Sequence, residues 1–363
     1  MWGEGLLVRQ VVRRVTWNGS AAGPASRTPA ALRPLLVAVV LSGLLAVLAG
    51  CGGGSTRRAV SAPPDPAATT QPAGQSFYVW DQASAARQLA LARSQGHSAA
   101  LAALARLAAQ PTALWLSGAQ ARGKAEELTS KSAAAGRTAL IVAYDIPHRD
   151  CGQFSAGGAV GPAEYRQWVD ELASELADRA AWVVLEPDAV AHTVDGCGVR
   201  GAKAAERYEL LSYAITELKK HPQVRVYLDA GNAGWLKDPA ALIDALRRSG
   251  VGAADGFAVN VANFYTTAQS LSFGDALSAA LGGKHFVVDT SRNGNGPLSD
   301  DAWCNPPGRA LGEAPTVRTA DPLADAYLWV KTPGESDGDC GRGEPKAGEF
   351  WLPYALALAG GHP

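Results

Sequence analysis

The chain has 363 residues, of which 47% are hydrophobic and 18% charged, and its formal net charge at pH 7 is −1. This length and composition suit one barrel-sized globular domain with a large core. The near-neutral charge argues against a nucleic-acid-binding protein. The six histidines form no His-x-His or His-Glu-x-x-His pattern, so we predict no metal site and no cofactor.

The N-terminus is predicted to be a signal peptide with a lipobox. Arg27 and Arg33 precede a 15-residue apolar stretch, Leu35–Ala49, which is short for a membrane span but suits the hydrophobic region of a signal. The stretch runs into Gly50 and Cys51, and Cys51 resembles the lipidated cysteine of bacterial lipoproteins. An ordinary signal peptide followed by a fortuitous cysteine is the alternative.

Three regions are therefore expected. Residues 1–50 are the signal peptide, and residues 51–75 carry the lipidated cysteine and a linker rich in Pro, Gly, Ser, Thr and Ala, which is typical of a flexible tether. Residues 76–363 form the remaining domain, in which no internal repeat or second linker interrupts the pattern.

Within this domain, short apolar runs alternate with helical stretches. Strands are predicted at 77–79, 113–116, 138–144, 182–185, 225–228, 256–259, 286–288 and 327–330. Helices are predicted at 83–109 with an interruption near Gly96, and at 121–135, 162–179, 202–220, 238–249, 268–281 and 350–359. The runs do not alternate with polar residues, which is typical of parallel strands buried on both faces.

The alternation predicts an α/β fold, a distorted and incompletely closed (β/α) barrel of about seven parallel strands. A doubly wound open sheet is the alternative. No Gly-x-Gly-x-x-Gly motif follows the first strand, which disfavours the nucleotide-binding version of that sheet.

Polar side chains stand where most of the strands end. The runs stop at Asp145, Glu186, Asp229, Asn260, Asp289 and Lys331. In parallel α/β folds the reacting groups lie at the carboxyl ends of the strands. Three further acids, Asp150, Asp188 and Asp337, lie in the loops that follow, and these are our candidate catalytic carboxylates. A lone acid at such a position is more often a helix cap or ion-pair partner, so the grouping carries the interpretation.

The four cysteines after Cys51 predict two disulfides in a protein outside the cytoplasm. Four cysteines allow three connectivities. We favour Cys151–Cys197 and Cys304–Cys340, because each bridge would hold a loop beside one of the acids. Free buried thiols are the alternative.

Ten tryptophans supply flat apolar faces, and Trp115, Trp235 and Trp303 lie just after strands or beside Gly or Asn. Aromatic faces beside carboxylates suit sugar rings, although core packing is an equally good explanation for any single Trp.

Several segments together resemble one family. They occur in this order: Tyr144–Cys151 (YDIPHRDC), Val184–Asp188 (VLEPD), Tyr227–Gly231 (YLDAG), Val288–Pro297 (VDTSRNGNGP), Trp303-Cys304 and Trp329–Gly338 (WVKTPGESDG). The ordered set is similar to glycoside hydrolase family 6, the inverting β-1,4-glucanases, over roughly Phe77 to Ala359. The resemblance implies a distorted α/β barrel that cleaves β-1,4-glucosidic bonds with inversion.

The resemblance also implies a role for each matching residue. Asp188 would be the general acid, Asp150 the second carboxylate, which raises the pKa of the acid and organises the water, and Asp337 a base or sugar ligand. Substrate-binding positions are implied for Tyr144, Trp115, Trp235, Asn263, Trp303, Lys331 and Glu335. The same two disulfides are implied.

One departure concerns the serine that holds water in some members, six residues after the aspartate that Asp150 matches. Position 156 is Ala here, and Ser155 stands five residues after Asp150. Ser155 is therefore included only as a weak candidate. His148 also stands where relatives often have Gly.

We expect an endo-acting enzyme, because the segment from Trp303 to Cys340 is compact and the domain is short. An exo-acting cellobiohydrolase of the same family, a non-catalytic glycan-binding surface lipoprotein and a metal-dependent hydrolase are the alternatives. The expected partners are a β-1,4-glucan and, through a lipid on Cys51, the outer face of the cell membrane. We expect a monomer.

Overall fold

The computed structural model describes residues 76–360 except 97, 198, 237, 300 and 301, with only the backbone of Gln120. The predicted signal peptide, the lipobox Cys51 and the linker lie outside the described residues. All described residues belong to one unit, Ala67–Pro363. Among them, no helix is both long and apolar enough to cross a membrane.

Seven parallel strands form one sheet whose spatial order follows the chain order, from β1 to β7. The strands are β1 (Leu114–Leu116), β2 (Ala139–Ala143), β3 (Ala181–Leu185), β4 (Val224–Asp229), β5 (Gly256–Val259), β6 (His285–Asp289) and β7 (Ala324–Leu328). A doubly wound sheet would reverse its strand order part-way. The observed order therefore excludes that alternative and confirms the predicted barrel type.

Successive side chains of each strand enter two different cores, because strand side chains alternate between faces. In β2, Leu140 and Val142 belong to the inner cluster of the curled sheet. Ala139, Ile141 and Ala143 belong to the outer cluster, which packs against the helices. Both faces are buried, which explains the uninterrupted apolar runs in the sequence.

The barrel does not close completely. In the described part of the chain, ladder pairing runs from β1 to β7 without a ladder between these two edge strands. The edges do approach each other, because the backbone N–H of Ala113 donates to the carbonyl of Trp329 at 3.0 Å. Nearby, the Nε1 of Trp115 donates to the carbonyl of Val330 at 2.8 Å. These contacts join β1 and the residue before it to the residues that follow β7.

Two of the described α-helices precede the first strand in sequence, one follows the last strand, and the others lie between strands. They are α1 (Ser84–Ser94), α2 (Ser98–Ala108), α3 (Lys124–Ala134), α4 (Pro162–Leu176), α5 (Ala191–Asp195), α6 (Ala202–Leu218), α7 (Pro239–Arg248), α8 (Thr267–Ala280) and α9 (Leu352–Leu358). The Asp238 side chain caps α7 by accepting from the backbone of Ala240 and Ala241, as the Asp-Pro start indicates.

Two sequence predictions fail locally. The strand predicted at 77–79 is wrong, since Phe77 makes only an isolated parallel bridge to Thr138. The three residues precede the barrel and find a partner at one point only. The short helix α5 was not predicted, because its five residues follow directly on the Asp188 loop.

Candidate active site

Buried acids at the ends of the strands hold the loops of the barrel face. The Glu186 carboxylate accepts from the backbone N–H of Asp145 at 2.9 and 3.0 Å and from that of Ile146 at 3.0 Å. Asp145 in turn accepts from Gly118 at 2.8 Å. Burial is the main cause that raises the pKa of Glu186, to about 7. The Glu186 carboxylate therefore holds the loop that follows β2 rather than being open to substrate.

Asp289 performs the same task on the other side of the face. Its two oxygens accept backbone N–H groups at 2.9 to 3.2 Å from four residues, Ala262, Ser291, Val330 and Lys331. Asn260 also ties its loop, donating through Nδ2 to the carbonyls of Tyr265 and Asp289. The loops that carry the candidate site are thus fixed from below by strand-end side chains.

Asp188 follows Glu186 by two residues in the loop after β3. Asp188 has a φ of 69°, a left-handed conformation that non-glycine residues seldom adopt without a functional reason. Among the described residues, no hydrogen-bond donor contacts its carboxyl. Burial first, and then the charges of Asp229, Asp150 and Asp195, raise the pKa of Asp188 well above its usual value. Such a carboxyl keeps its proton at a pH where an ordinary aspartate is ionised.

Asp229, at the end of β4, makes the largest contribution to that shift among the neighbouring charges. Its Oδ2 accepts from the backbone N–H of Asp188 at 2.9 Å and of Gly231 at 3.1 Å. Its Oδ1 is buried without a hydrogen-bond partner in the described structure. Burial raises the pKa of Asp229 to about 7. Because the two carboxyls interact, Asp188 and Asp229 titrate as a pair.

Asp150 lies in a tightly turned loop after β2. His148, Asp150 and Cys151 all have positive φ, from 51° to 58°. The Asp150 Oδ2 accepts from the backbone N–H of Ser155 at 2.6 Å. Burial raises the pKa of Asp150, while this hydrogen bond and the charge of Arg149 act to lower it.

Arg149 holds the loop in shape. Its Nε donates to the Ser155 carbonyl at 2.8 Å, and its Nη1 donates to the Tyr144 carbonyl. Its guanidinium also lies 4.4 Å from the centre of the Tyr144 ring. A cavity of about 480 Å³ opens beside the loop and is lined by His148, Arg149 and both cysteines of the first bridge, but none of the three acids lines it. The chemistry therefore belongs to the barrel face rather than to this cavity.

Asp337 occupies a cationic environment. Its two oxygens accept from Arg292 Nη1 at 3.0 and 2.8 Å, and its Oδ1 lies 3.6 Å from the Lys331 Nζ. The backbone N–H of Asn305 donates to Oδ2 at 3.0 Å. Burial acts to raise the pKa of Asp337, but the charges of Arg292 and Lys331 outweigh it, so the pKa lies below its usual value.

Lys331 and Glu335 adjoin this pair. The Lys331 Nζ donates to the Ser336 carbonyl at 3.2 Å, and the Glu335 carboxylate accepts from the Ser84 hydroxyl at 2.6 Å. Burial raises the pKa of Glu335, against the opposing charge of Lys331. Both side chains are thus engaged with the β7 loop and helix α1.

The predicted aromatic residues lie around these acids. The Trp115 ring meets the Tyr144 ring edge-on, with centroids 5.2 Å apart. Burial and the charges of Asp188 and Asp150 raise the pKa of Tyr144 well above its usual value.

Trp235 donates through Nε1 to Asp195 at 3.0 Å. Its ring meets the buried His192 edge-on, with centroids 5.2 Å apart. Asn263 accepts the backbone N–H of Phe264 at 2.8 Å. On the opposite side, Trp303 is 41% exposed.

Comparison with known proteins now defines the family. The model of Glycosyl hydrolases family 6 matches residues 72–361. The chain belongs to glycosyl hydrolases family 6. A solved structure of the endoglucanase Cel6 from Mycobacterium tuberculosis aligns with a TM-score of 0.73 and 42% identity, covering 80% of this chain and 98% of that one. The cellobiohydrolase Cel6A of Chaetomium thermophilum aligns at 27% identity with a TM-score of 0.69, covering 79% of this chain and 97% of that one.

Two curated sequences are similar over most of the domain. Endoglucanase 1 of Streptomyces halstedii is 41% identical over 313 residues, which is 83% of this chain and 94% of that protein. Endoglucanase A of Cellulomonas fimi is 44% identical over 262 residues, 71% of this chain but only 56% of that protein's length. The chain therefore spans about half of the latter relative.

Both predicted disulfides of this family 6 domain are confirmed, Cys151–Cys197 and Cys304–Cys340. The first lies beside His192, but its sulfurs are bonded to each other and offer no thiolate to a metal. Burial lowers the pKa of His192 to about 4, so this imidazole is neutral. The bridges fix the loops of Asp150 and of Asp337.

Several residues of the family 6 site were not singled out from the sequence. Asp229 was noted only as a strand end, and Arg292 only as part of a motif. The Asp337–Arg292 pair joins the loops after β7 and β6, so the pairing depends on tertiary structure. Phe154, which is 46% exposed beside Trp303, was also not singled out, and an aromatic side chain two residues after Gly152 in the Asp150 loop was the available signal.

Proposed function

We propose that this chain hydrolyses internal β-1,4-glucosidic bonds of soluble or accessible glucans with inversion of configuration. The single observation that carries the proposal is the environment of Asp188, a carboxyl with no hydrogen-bond donor among the described residues, whose pKa is raised by burial and by three acids, Asp229, Asp150 and Asp195. A general acid for glycoside cleavage must hold a proton near neutral pH, and this environment supplies that condition.

Asp188 protonates the leaving glycosidic oxygen, and Asp150 is the second carboxylate of the pair. Inversion requires water activated on the opposite side of the sugar. Asp150 is suited to order that water, because its loop is fixed by Arg149 and its own pKa is raised. The backbone N–H of Ser155 occupies one oxygen of Asp150, which leaves the other oxygen for water.

Asp337 has a different role in this proposal. A carboxylate paired with Arg292 and Lys331, with its pKa below the ordinary value, is a weak proton acceptor. We assign it to holding Lys331 and the β7 loop beside the bound sugar. Tyr144, Trp115, Trp235, Asn263, Trp303, Lys331 and Glu335 contact the glucan.

Internal cleavage is supported by the endoglucanase relatives at 41–44% identity. The endoglucanase from Mycobacterium tuberculosis was solved with a thio-linked methyl cellobiosyl-cellobioside, and a cello-oligosaccharide is the substrate class we propose for this chain. The proposed enzyme acts as a monomer and needs no metal or cofactor.

We further propose that the domain works outside the cytoplasm, anchored by a lipid on Cys51. The two disulfides support an oxidising compartment. Metabolic labelling with a fatty acid tests the anchor: wild-type protein should incorporate label and Cys51→Ala should not. Equal labelling of both proteins, or none of the wild type, would refute the lipid.

Activity is tested by incubating the purified domain with carboxymethyl-cellulose while viscosity and reducing ends are followed together. Endo cleavage predicts a fall in viscosity early, while few reducing ends have formed. Proton NMR of cello-oligosaccharide products should show the α-anomer first. Slow viscosity loss with steady release of cellobiose would indicate exo action, and β-anomers first would contradict inversion.

A further inference from the structure

The proposed substrate contacts include Trp303 but not Phe154, the exposed aromatic ring beside it. Phe154 is 46% exposed and Trp303 is 41% exposed, and their centroids lie 6.1 Å apart with an interplanar angle of 50°. Among the described residues, they are the two aromatic side chains in the group of exposed large hydrophobic residues. Exposed apolar surface at one place commonly marks a binding site.

The pair connects the loops that carry Asp150 and Asp337. Phe154 stands four residues after Asp150, and Trp303 precedes Cys304, which is bridged to Cys340 in the Asp337 loop. The Phe154 ring lies on the bare backbone of Gly338: a Cβ added there would come within 2.4 Å of the Phe154 Cγ. Gly338 directly follows Asp337, so the ring packs on the backbone of the loop that carries that carboxylate.

The ring is also held from its own side. Phe154 lies between Cys151, which is bridged to Cys197, and Ser155, whose N–H and carbonyl are taken by Asp150 and Arg149. A ring fixed in this way loses little freedom when a ligand binds. The tilt of 50° means that the two rings do not cover each other's faces, and the exposed area of each stays open to a third partner.

We infer that Phe154 is a sugar-contacting residue, which forms with Trp303 a two-ring platform whose exposed faces take one glucosyl unit beside the Asp150 and Asp337 loops. This inference rests on the proposed glucanase function. The apolar C–H faces of a β-linked glucosyl ring match aromatic faces, while its hydroxyls need polar partners. Asp150 lies four residues before Phe154, so the same loop carries a polar partner for those hydroxyls.

Binding of cellotetraose to a catalytically inactive variant tests the two-ring platform. Isothermal titration of cellotetraose into Asp188→Asn should give a measurable Kd. Adding Phe154→Ala or Phe154→Leu should raise that Kd about tenfold, the order expected for loss of an aromatic contact, and Phe154→Tyr should leave it within about twofold. In the active enzyme the same changes should raise KM more than they lower kcat, and leave the pH profile unmoved.

Phe154→Leu separates sugar contact from loop packing, because leucine keeps apolar bulk on Gly338 but has no ring. If Leu restored wild-type affinity while Ala did not, the ring would serve only to hold the loop and the inference would fail. Leu298→Ala is the matched control, since Leu298 is a 55% exposed apolar residue outside the pair, and it should leave the Kd unchanged.

The outcomes also separate this inference from the proposed function. If the wild-type protein hydrolysed carboxymethyl-cellulose but Phe154→Ala left the Kd for cellotetraose unchanged, only the two-ring platform would be overturned. Absence of both hydrolysis and cellotetraose binding in the wild-type protein would overturn the glucanase proposal, and the platform with it.

Discussion

Two loops on the same barrel face treat a carboxyl in opposite ways. Burial and the charges of three acids, Asp229, Asp150 and Asp195, raise the pKa of Asp188 in the β3 loop, and no cation among the described residues opposes them. The β7 loop surrounds Asp337 with Arg292, Lys331 and a backbone N–H, so its pKa falls although it too is buried. Burial alone therefore does not decide protonation in this protein, and the neighbouring charges do.

The difference divides the work of the site. A carboxyl that keeps its proton can donate it to a leaving group, whereas one locked in an ion pair holds a loop and offers fixed charge to a ligand. The strand-end acids below them form a third class, in which Glu186 and Asp289 accept backbone N–H groups and fix the loops. Asp188, two residues after Glu186, is proposed to take part in the reaction, whereas Glu186 and Asp289 at the strand ends hold the loops.

The largest expected effect is on proton donation. Asp188→Asn should lower the rate on β-glucan by about 10²- to 10⁴-fold, the usual contribution of a general acid. The loss should be much smaller on an aryl cello-oligosaccharide with a good leaving group, because that group departs without a proton. The comparison requires kcat/KM for both substrates in both proteins. Equal losses on the two substrates would mean that Asp188 does not protonate the leaving oxygen.

The Asp337–Arg292 ion pair is expected to affect mainly the stability of the fold rather than proton transfer in the reaction. Asp337→Asn leaves the fully buried Arg292 without its counter-charge and should cost about 3–5 kcal/mol in the free energy of unfolding. Urea unfolding at neutral pH measures this loss. Asp244→Asn, which removes an exposed partner 3.9 Å from Arg248, is the control and should change stability little.

The sign of the pH dependence gives a further check on that pair. Because the folded-state pKa of Asp337 is depressed, its contribution is complete above the unfolded pKa and disappears as pH falls through the folded one. The stability difference between wild type and Asp337→Asn should therefore shrink in acid. A difference that stays constant down to low pH would show that the ion pair is not its source.

A smaller effect is expected from Asp229→Asn. Asparagine keeps an oxygen for the N–H groups of Asp188 and Gly231 but removes the charge that raises the pKa of Asp188. The alkaline limb of the kcat/KM profile should move to lower pH, since Asp188 then loses its proton more easily. Asp195→Asn should move it less, because Asp195 contributes least of the three charges. If the alkaline limb did not move in either variant, the ionisation of Asp188 would not be the cause of that limb.

Much of this could be predicted from the sequence, for physical reasons. Strands such as Gly256–Val259 are buried on both faces and leave an unbroken apolar run, and the acids after them identify the barrel face. The strand predicted at 77–79 was wrong, because the apolar character of these residues carries no information about whether a partner strand is present. The opposite pKa shifts of Asp188 and Asp337 depend on contacts between different loops, such as Arg292 with Asp337, which no local pattern encodes.

The most direct test follows the two carboxyls in one sample. Side-chain ¹³C NMR of aspartate-labelled protein, with Asp188→Asn and Asp337→Asn to assign the signals, would record both titrations. We expect the Asp188 carboxyl still to be protonated at a pH where the Asp337 carboxyl is fully ionised. An Asp188 signal that titrates at or below the ordinary aspartate range, or together with Asp337, would contradict the account.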